Sequence, residues 1–391
     1  MAMDDPDNPF RGMDRRDFLA AVGRYGAGAC GLCAFGTLTP EAAAAALPPF
    51  HPGPGARRVD FFESRPDGST VCRVCPRHCV CKDGETGFCR SRTNVAGVYY
   101  PRGYARPAIL RVDPIEKLPL NHFRPGTHAM TVAVGGCNLR CLYCQNWQHA
   151  QAAPDTLETF DLSPDQAVQA AREKGLDTIA FNYTDPTASL EYATDLARAA
   201  RKAELRVVAA TAAYIEPEPL LSFAQYVDAF AIGLKGFTEG FYDDVVSGRL
   251  DGVLAAIETL RARTNCWVEI VTLIVPTYND DMRRIRELAG WVRRTLGVNT
   301  PLHFSRFVPM YRLTNLPRTP VESLEAACET ARRVGMKYVY TSNIAPHDGN
   351  NTYCPKCGAA LIERLGFKVL THRAPEGRCP KCHIRLPGMW A

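Results

Sequence analysis

The sequence predicts an α/β fold: a parallel sheet covered by helices and closed or partly closed, with a cysteine-rich knuckle before it and a zinc ribbon after it. Three observations carry this. Between about residues 104 and 345, short apolar runs alternate with segments of helical periodicity, the pattern of repeated strand–helix units. The 16 cysteines fall into clusters with metal-ligand spacing rather than into scattered pairs. Two of those clusters flank the alternating region, and a third follows its first apolar run.

A chain of 391 residues with 46% apolar content has enough material for a sizeable core plus appendages. The formal charge of +5 is small, and no lysine or arginine run is long enough for a nucleic-acid groove, so no DNA partner is expected. Clustered cysteines argue for metal sites in a reducing compartment rather than a disulfide framework. With no uninterrupted apolar stretch of about 18 residues, no membrane span is expected.

Residues 1–46 read as a leader. Asp14-Arg15-Arg16-Asp17-Phe18-Leu19 resembles a twin-arginine export signal, an Ala- and Gly-rich stretch follows to Leu38, and Ala42–Ala46 offer small residues for cleavage. Arg24 interrupts the apolar part, so the expected location is cytoplasmic, with periplasmic export left open by the leader. Cys30 and Cys33 have no second pair nearby and read as leader residues. Residues 47–65 are expected to be a linker rich in proline and glycine.

The knuckle, expected over residues 66–103, holds CRVCPRHCVCKDGETGFCR from Cys72 to Arg90. So short a segment buries little apolar surface, and a bound metal is the physical expectation. Cys72, Cys75, Cys79 and Cys89 are the preferred ligands, with Cys81 spare; zinc and an auxiliary iron–sulfur cluster both suit four thiolates.

In the central region, 104–349, the strand candidates are Thr131–Val134, Asp177–Tyr183, Arg206–Thr211, Asp228–Leu234, Cys266–Val275, Leu302–Phe307 and Tyr338–Tyr340. Ser163-Pro164-Asp165-Gln166 and Thr319-Pro320-Val321-Glu322 look like capping boxes that start helices. The loop GGCNLRCLYCQNW, residues 135–147, leaves the first strand with Cys137, Cys141 and Cys144 in C-x3-C-x2-C spacing. Cubane clusters normally take four thiolates, and a local set of three leaves one iron open to a ligand that is not protein. A zinc knuckle or a redox thiol pair is the competing reading, although zinc sites usually supply a full set in paired C-x2-C units.

Other strand ends offer polar candidates. Tyr183, Thr184 and Asp185 follow the second strand; Asp185 as a plain helix cap is the alternative. Lys235 follows the fourth, at the mouth of the expected barrel. Glu269 lies inside the run CWVEIVTLIVP, and so apolar a strand demands a partner or a role for a carboxylate. Asn279 and Asp280 are expected to cap the next helix, and His303 and Arg306 to reach the interior or serve as satisfied structural groups. At the end of the chain, 350–391, CPKCG and CPKCH supply Cys354, Cys357, Cys379 and Cys382, a closed structural zinc tetrahedron.

The loop at 135–147 resembles the signature of the radical S-adenosylmethionine (SAM) enzymes. Together with the knuckle and its GETGFC, the YTDPT segment, DAFAIGLKGF, WVEIVTLIVPTYND, PLHFSRFVPMY, and a ribbon with LIER and LPGMW, the chain from about residue 66 onward resembles the radical SAM component of the AmmeMemoRadiSam system. Its relatives include the activating enzymes of glycyl-radical proteins such as pyruvate formate-lyase. The resemblance implies a partial (β/α)6 barrel and a [4Fe–4S] cluster on Cys137, Cys141 and Cys144 whose open iron chelates SAM. It places Tyr143 beside the adenine and Tyr183, Thr184 and Asp185 where Gly-Gly-Glu-Pro binds the SAM amino group. Lys235 stands in the place of an Asp-x-Lys pair and would meet the SAM carboxylate, and Glu269 would meet the ribose or the substrate. Gly233 replaces the family aspartate, and Asp185 replaces the more usual glutamate. The implied reaction is reductive cleavage of SAM to a 5′-deoxyadenosyl radical that abstracts hydrogen from an unknown substrate. A low-potential electron donor and AMMECR-type and Memo-type proteins are the implied partners. A glycyl-radical activase is the alternative enzyme, and a non-catalytic metal-binding scaffold or electron carrier the alternative of another class.

Overall fold

An eight-stranded sheet forms the centre of the protein, seen in a computed structural model that describes residues 47–390. The expected leader, with Cys30 and Cys33, lies outside the described residues. From His51 onward the chain forms one compact unit, which includes knuckle, barrel and ribbon.

The knuckle begins earlier than its cysteines. Strands β1 (Phe62–Ser64), β2 (Thr70–Cys72) and β3 (Val80–Cys81) form an antiparallel sheet, and β4 (Arg92–Val95) pairs with β5 (Val98–Pro101) across the left-handed pair Ala96-Gly97. Residues expected in the linker therefore belong to the folded body: Phe62–Ser64 pair with β2, and the Val59 amide donates to the Tyr99 carbonyl at 2.9 Å. Backbone pairing with β2 overrides the proline- and glycine-rich composition just before them.

Next comes β6 (Ile109–Pro114), antiparallel to β7 (His128–Ala133). From β7 the sheet runs parallel in sequence order through β8 (Thr178–Phe181), β9 (Arg206–Thr211), β10 (Ala229–Gly233), β11 (Trp267–Ile274), β12 (Leu302–Arg306) and β13 (Val339–Ser342). Six helices make the crossovers: α1 (Pro164–Glu173), α2 (Leu190–Lys202), α3 (Pro217–Ala224), α4 (Leu250–Arg263), α5 (Met282–Thr295) and α6 (Val321–Val334). The edge strands β6 and β13 do not pair with each other, so the barrel is partial. All seven expected strands are present with ends shifted by a few residues. The eighth, β6, carries Arg111 and Asp113 and ends in proline, a composition that only an edge strand tolerates.

Helices are held by apolar stripes. In α5 the buried residues are Ile285, Leu288, Ala289 and Val292, and in α6 Leu324, Ala327, Cys328 and Ala331, both spaced i, i+3, i+4, i+7. The Ser163 capping box is complete: its hydroxyl accepts from the Gln166 amide at 3.3 Å, and the Gln166 side chain accepts from the Ser163 amide at 2.8 Å. The second box does not form. Thr319 is fully buried, its hydroxyl donating to the Ile274 carbonyl and accepting from the Phe307 amide, and α6 starts at Val321 behind Pro320 as N-cap, with no side-chain cap. Asp281, rather than Asn279 or Asp280, caps α5 by accepting from the Arg283 amide.

The barrel floor is closed by the segment between β6 and β7. Ile115, Leu118, Leu120 and Phe123 pack against Ala129, Ala180, Val208, Ala229 and Ala231, and the alanines on β7, β8 and β10 leave room for that plug. Behind it sits the ribbon, β14 (Thr352–Tyr353), β15 (Ala360–Leu365) and β16 (Lys368–His372), whose core is Leu361, Ile362, Ala374 and Leu386 around the cysteines. The C-terminal run LPGMW returns to the floor. The Met389 amide donates to the His122 carbonyl at 2.8 Å, and a side chain at Gly388 would strike that same carbonyl. Among the described residues no helix is long and apolar enough to cross a membrane.

Candidate active site

At the C-terminal ends of the parallel strands a chamber of about 270 Å³ brings together Cys137, Cys141, Cys144, Tyr143, Asp185 and Lys235, with Leu118 and Pro119 also in its walls. The cysteine loop is fixed there by backbone demands. Gly136 has φ +96°, and a Cβ on it would lie 2.6 Å from the Cys89 carbonyl, so only glycine lets the loop turn against the knuckle. The amides of Arg140 and Leu142 donate to the carbonyls of Val246 and Val245, which ties the loop to the segment after β10. Arg140 donates to the carbonyls of Cys137 at 2.8 Å and Leu139 at 2.9 Å and also reaches that of Phe88. Burial, with Arg90 nearby, draws that guanidinium down to about 10.

Burial pushes the thiols of Cys137 and Cys141 above their ordinary range and Cys144 up to about 12, while Lys235 pulls Cys141 and Cys144 the other way. Three half-buried thiols facing one space become thiolates most readily beside a cation, which is what a bound iron cluster provides. Tyr143 is buried, its ring stacked 6.4 Å from Phe241 and its hydroxyl set against the Cys141 thiol.

The polar candidates divide. Asp185 lines the chamber, but its carboxylate is fully engaged: it accepts from the Thr187 amide at 3.0 Å, the Ala212 amide at 2.7 Å and the Thr211 hydroxyl at 3.0 and 3.1 Å. It is both a helix cap and a staple between the ends of β8 and β9. Thr184 donates to the Val134 carbonyl at 2.8 Å, and Tyr183 sits in the left-handed region at φ +68° with its hydroxyl donating to Asp113 at 2.7 Å. Lys235 faces the thiols. Its Nζ lies 2.7 Å from where a Cβ on Gly233 would stand, so the lysine folds back over that glycine.

Glu269 is not brought to the chamber. Completely buried, it accepts from the amides of Asn121 (3.0 Å) and His122 (2.7 Å), from Trp267 Nε1 (3.0 Å) and from His303 Nε2 (2.8 Å). Burial alone would raise its carboxyl, but His303 and the other donors hold it below the usual range. Four donors leave no lone pair for a substrate, and the group acts as a keystone between the floor segment and β11. Arg306 donates to the Thr319 carbonyl at 2.9 Å, and Asn279 joins the Lys235 and Leu273 carbonyls to the Val275 amide. Sequence reasoning missed Asp113 and Lys117, which meet Tyr183 from the unforeseen β6 side, and missed Arg140, whose only signal was its place inside the cysteine loop.

Residues 131–289 match the model of the radical SAM superfamily. An uncharacterized protein of Methanocaldococcus jannaschii is 43% identical over 332 residues, which cover 84% of this chain and 98% of that one. The chain belongs to the radical SAM superfamily. Among solved structures it resembles a radical SAM methyltransferase from Sphaerobacter thermophilus, at 18% identity, TM-score 0.43, and coverage of 63% of this chain and 81% of that one. It also resembles a domain of a pyruvate-formate lyase-activating enzyme from Bacteroides vulgatus, at 12% identity, TM-score 0.37, and coverage of 42% and 98%.

This radical SAM enzyme carries two further thiol groups. In the ribbon, Cys354 and Cys382 lie 3.5 Å apart and Cys357 and Cys379 lie 3.6 Å apart, and all four sulfurs fall within 4.8 Å of one another. Zinc bonded to sulfur at ~2.3 Å spaces its ligands by ~3.8 Å, so the donor set fits that ion. In the knuckle, Cys89 lies within electrostatic reach of Cys72, Cys75 and Cys79, and burial pushes the thiols of Cys72, Cys75 and Cys79 up, Cys75 to about 11. Among the described residues only the ribbon gathers three or more such ligands within 4.8 Å, so the knuckle thiols and the loop thiols are both set wider than one ion requires. Cys81 is occupied elsewhere, 3.5 Å from the Tyr99 hydroxyl.

Proposed function

We propose that this protein cleaves SAM reductively and uses the product to abstract hydrogen from a substrate, as the radical SAM component of an AmmeMemoRadiSam system. The observation that carries the first part is the convergence of Cys137, Cys141, Cys144 and Lys235 on one chamber at the strand ends. A [4Fe–4S] cluster held by those three thiolates would supply the open iron and the electron for cleavage. The chain's own groups divide the remaining tasks. Lys235 is the cation available to the SAM carboxylate. Asp185 spends its carboxylate on the ends of β8 and β9 and so fixes the backbone of residues 182–184, whose carbonyls are the acceptors for an ammonium. Tyr143, packed on Phe241, supplies an apolar face for a purine, and the dry walls of Leu118, Val271 and Leu273 exclude water from a reactive species. The wide spacing of the knuckle thiols supports an auxiliary cluster on Cys72, Cys75, Cys79 and Cys89 rather than zinc. The assignment to the AmmeMemoRadiSam system rests on the sequence motifs, with AMMECR-type and Memo-type proteins as partners.

Anaerobically reconstituted protein should show a [4Fe–4S] signal that changes when SAM is added, and with a strong reductant it should release 5′-deoxyadenosine. Protein that binds iron but never cleaves SAM would sink the enzymatic reading and leave the scaffold.

A further inference from the structure

A second chamber, of about 240 Å³, lies where the two edges of the sheet fail to pair. Its walls come from the segment after β6 (Glu116, Asn121), from the end of β13 (Ser342) and the loops that follow it (Asn350), and from the β15–β16 hairpin of the ribbon (Arg364, Phe367). Pro119 lines both this chamber and the one that gathers the cysteines, so the two share a wall.

The polar wall is incomplete. Of the ten buried side-chain nitrogen and oxygen atoms without a hydrogen-bond partner among the described residues, three belong to residues of this chamber: Glu116 Oε2, Ser342 Oγ and Asn350 Oδ1. Glu116 and Asn350 are more than nine-tenths buried, at 4% and 5% exposure. Native proteins rarely leave such atoms orphaned, and a concentration in one wall marks a place where a partner from outside the chain belongs. The kind of partner follows from what is already used. Arg364, the cation of the chamber, spends its donors on Glu116 Oε1, the Asn350 carbonyl, the Thr352 hydroxyl and the Asn121 carbonyl. The Asn350 amide nitrogen is committed to Thr341. What remains are acceptors, one of them a carboxylate oxygen, with a hydroxyl that serves either way.

We propose that this seam chamber docks the substrate, taking a nitrogen group that donates hydrogen bonds, an amide or an amine, while the part to be attacked lies across Pro119 in the chamber of the cysteines. The placement of the attacked part in the chamber of the cysteines rests on the radical SAM reading; the choice of a nitrogen group by the seam chamber does not. An anionic group is disfavoured, because it would meet Glu116 with no free cation to offset the charge. The volume suits a side-chain-sized group, roughly eight waters at about 30 Å³ each.

The test uses the full-length, reconstituted protein and three small probes, acetamide, methylammonium and acetate, followed by saturation-transfer NMR and by crystal soaking. Acetamide or methylammonium should bind beside Glu116 and Asn350, and acetate should not compete. Ser342→Leu, which fills the chamber from a side chain that has no partner to lose, should keep the zinc content and melting temperature of the parent and weaken the probe at least about tenfold. Equal or stronger binding of acetate, binding that ignores Ser342→Leu, or a chamber holding only ordered water would each overturn the proposal. The SAM-dependent change of the cluster spectrum, recorded on the same wild-type sample, reports the radical SAM reading separately. Its absence alongside normal probe binding would condemn that reading and leave the chamber.

Discussion

The ribbon and the knuckle are each built on four preferred cysteines set in short turns, yet they hold their sulfurs in different ways. In the ribbon the four lie at the contact distances of a single ion, and the surrounding apolar residues pack directly on them. Burial opposes ionisation of Cys379 there, but the amides of Cys382 and Lys381 and the thiols of Cys382 and Cys357 draw it down to about 6. In the knuckle the thiols are spread, burial pushes them up, and the cations that oppose this are the buried Arg92 beside Cys72, itself bound to Glu191 at 3.0 Å, and Arg77 beside Cys79. The thiol site of the ribbon is thus closed on itself, with its four sulfurs turned to one another. The knuckle leans on the cysteine loop through Arg140 and Gly136, so whatever fills it sits beside the chemistry.

The largest effect is expected from Cys141→Ala, which should remove the SAM-dependent spectral change and reduce 5′-deoxyadenosine release to background while leaving ribbon zinc at one per chain. Two local thiolates cannot hold the cubane against solvent. The next should come from Cys382→Ser. A structural zinc contributes on the order of 10 kcal/mol to its fold, so this variant should lose its zinc and show Trp390 in a more polar environment by fluorescence, with iron content unchanged. Cys79→Ser should do the reverse, lowering iron by about four per chain if a second cubane is there and sparing zinc. Loss of zinc instead of iron from Cys79→Ser would erase the difference between the two sites.

The barrel was legible because each parallel strand is an apolar run flanked by a helix with a spaced stripe, and the metal motifs because their spacing is local. What failed was whatever depended on a partner distant in sequence. Ser163 and Thr319 head the same type of motif, but Thr319 lies against β11 and β12, and its hydroxyl serves their ends instead of the helix. Glu269 announced itself as a carboxylate needing partners, and nothing in its neighbourhood could show that they are the backbone of residues 121 and 122, almost 150 positions away. Likewise β6 is a strand only because β7 offers it an edge, and with it went Asp113 and Lys117.

Two substitutions probe how each end is fastened to the barrel. Arg92→Met leaves Glu191 buried and unpaired at the knuckle, and should cost about 3–5 kcal/mol, read from the denaturation midpoint, with the double change Arg92→Met, Glu191→Leu recovering much of it. On the ribbon side Glu269 accepts from the amides of the floor segment, whose carbonyls at Asn121 and His122 in turn accept from Arg364 and Met389. Glu269→Gln should cost about 1–3 kcal/mol. Because the folded carboxyl lies below its unfolded value, its contribution is fully present above that unfolded value and is lost as pH falls through the folded one. Wild type should therefore lose stability on acidification below about pH 4.3 more steeply than Glu269→Gln. Equal slopes would mean that the keystone carries no linkage.

The smallest effect is also the sharpest test of which knuckle sulfurs matter. Cys81 lies in the same short segment as Cys79 and Cys89, and is within electrostatic reach of both. Its strand, however, fixes it differently. Cys81 pairs with Thr70 in the antiparallel sheet, its carbonyl accepts from the Asn94 side chain at 2.9 Å, and its sulfur lies 3.5 Å from the Tyr99 hydroxyl. A sulfur already committed to a neutral hydroxyl and held by a paired strand is poorly placed to swing toward a metal. Cys81→Ala should then cost only about 0.5–1.5 kcal/mol, the worth of one weak buried hydrogen bond, and leave both iron and zinc at wild-type levels by metal analysis. Cys89→Ala, eight residues away, should strip the knuckle of its metal. If instead Cys81→Ala loses iron, the fourth ligand has been misassigned, and the spread of thiols that separates knuckle from ribbon must be redrawn around Cys81.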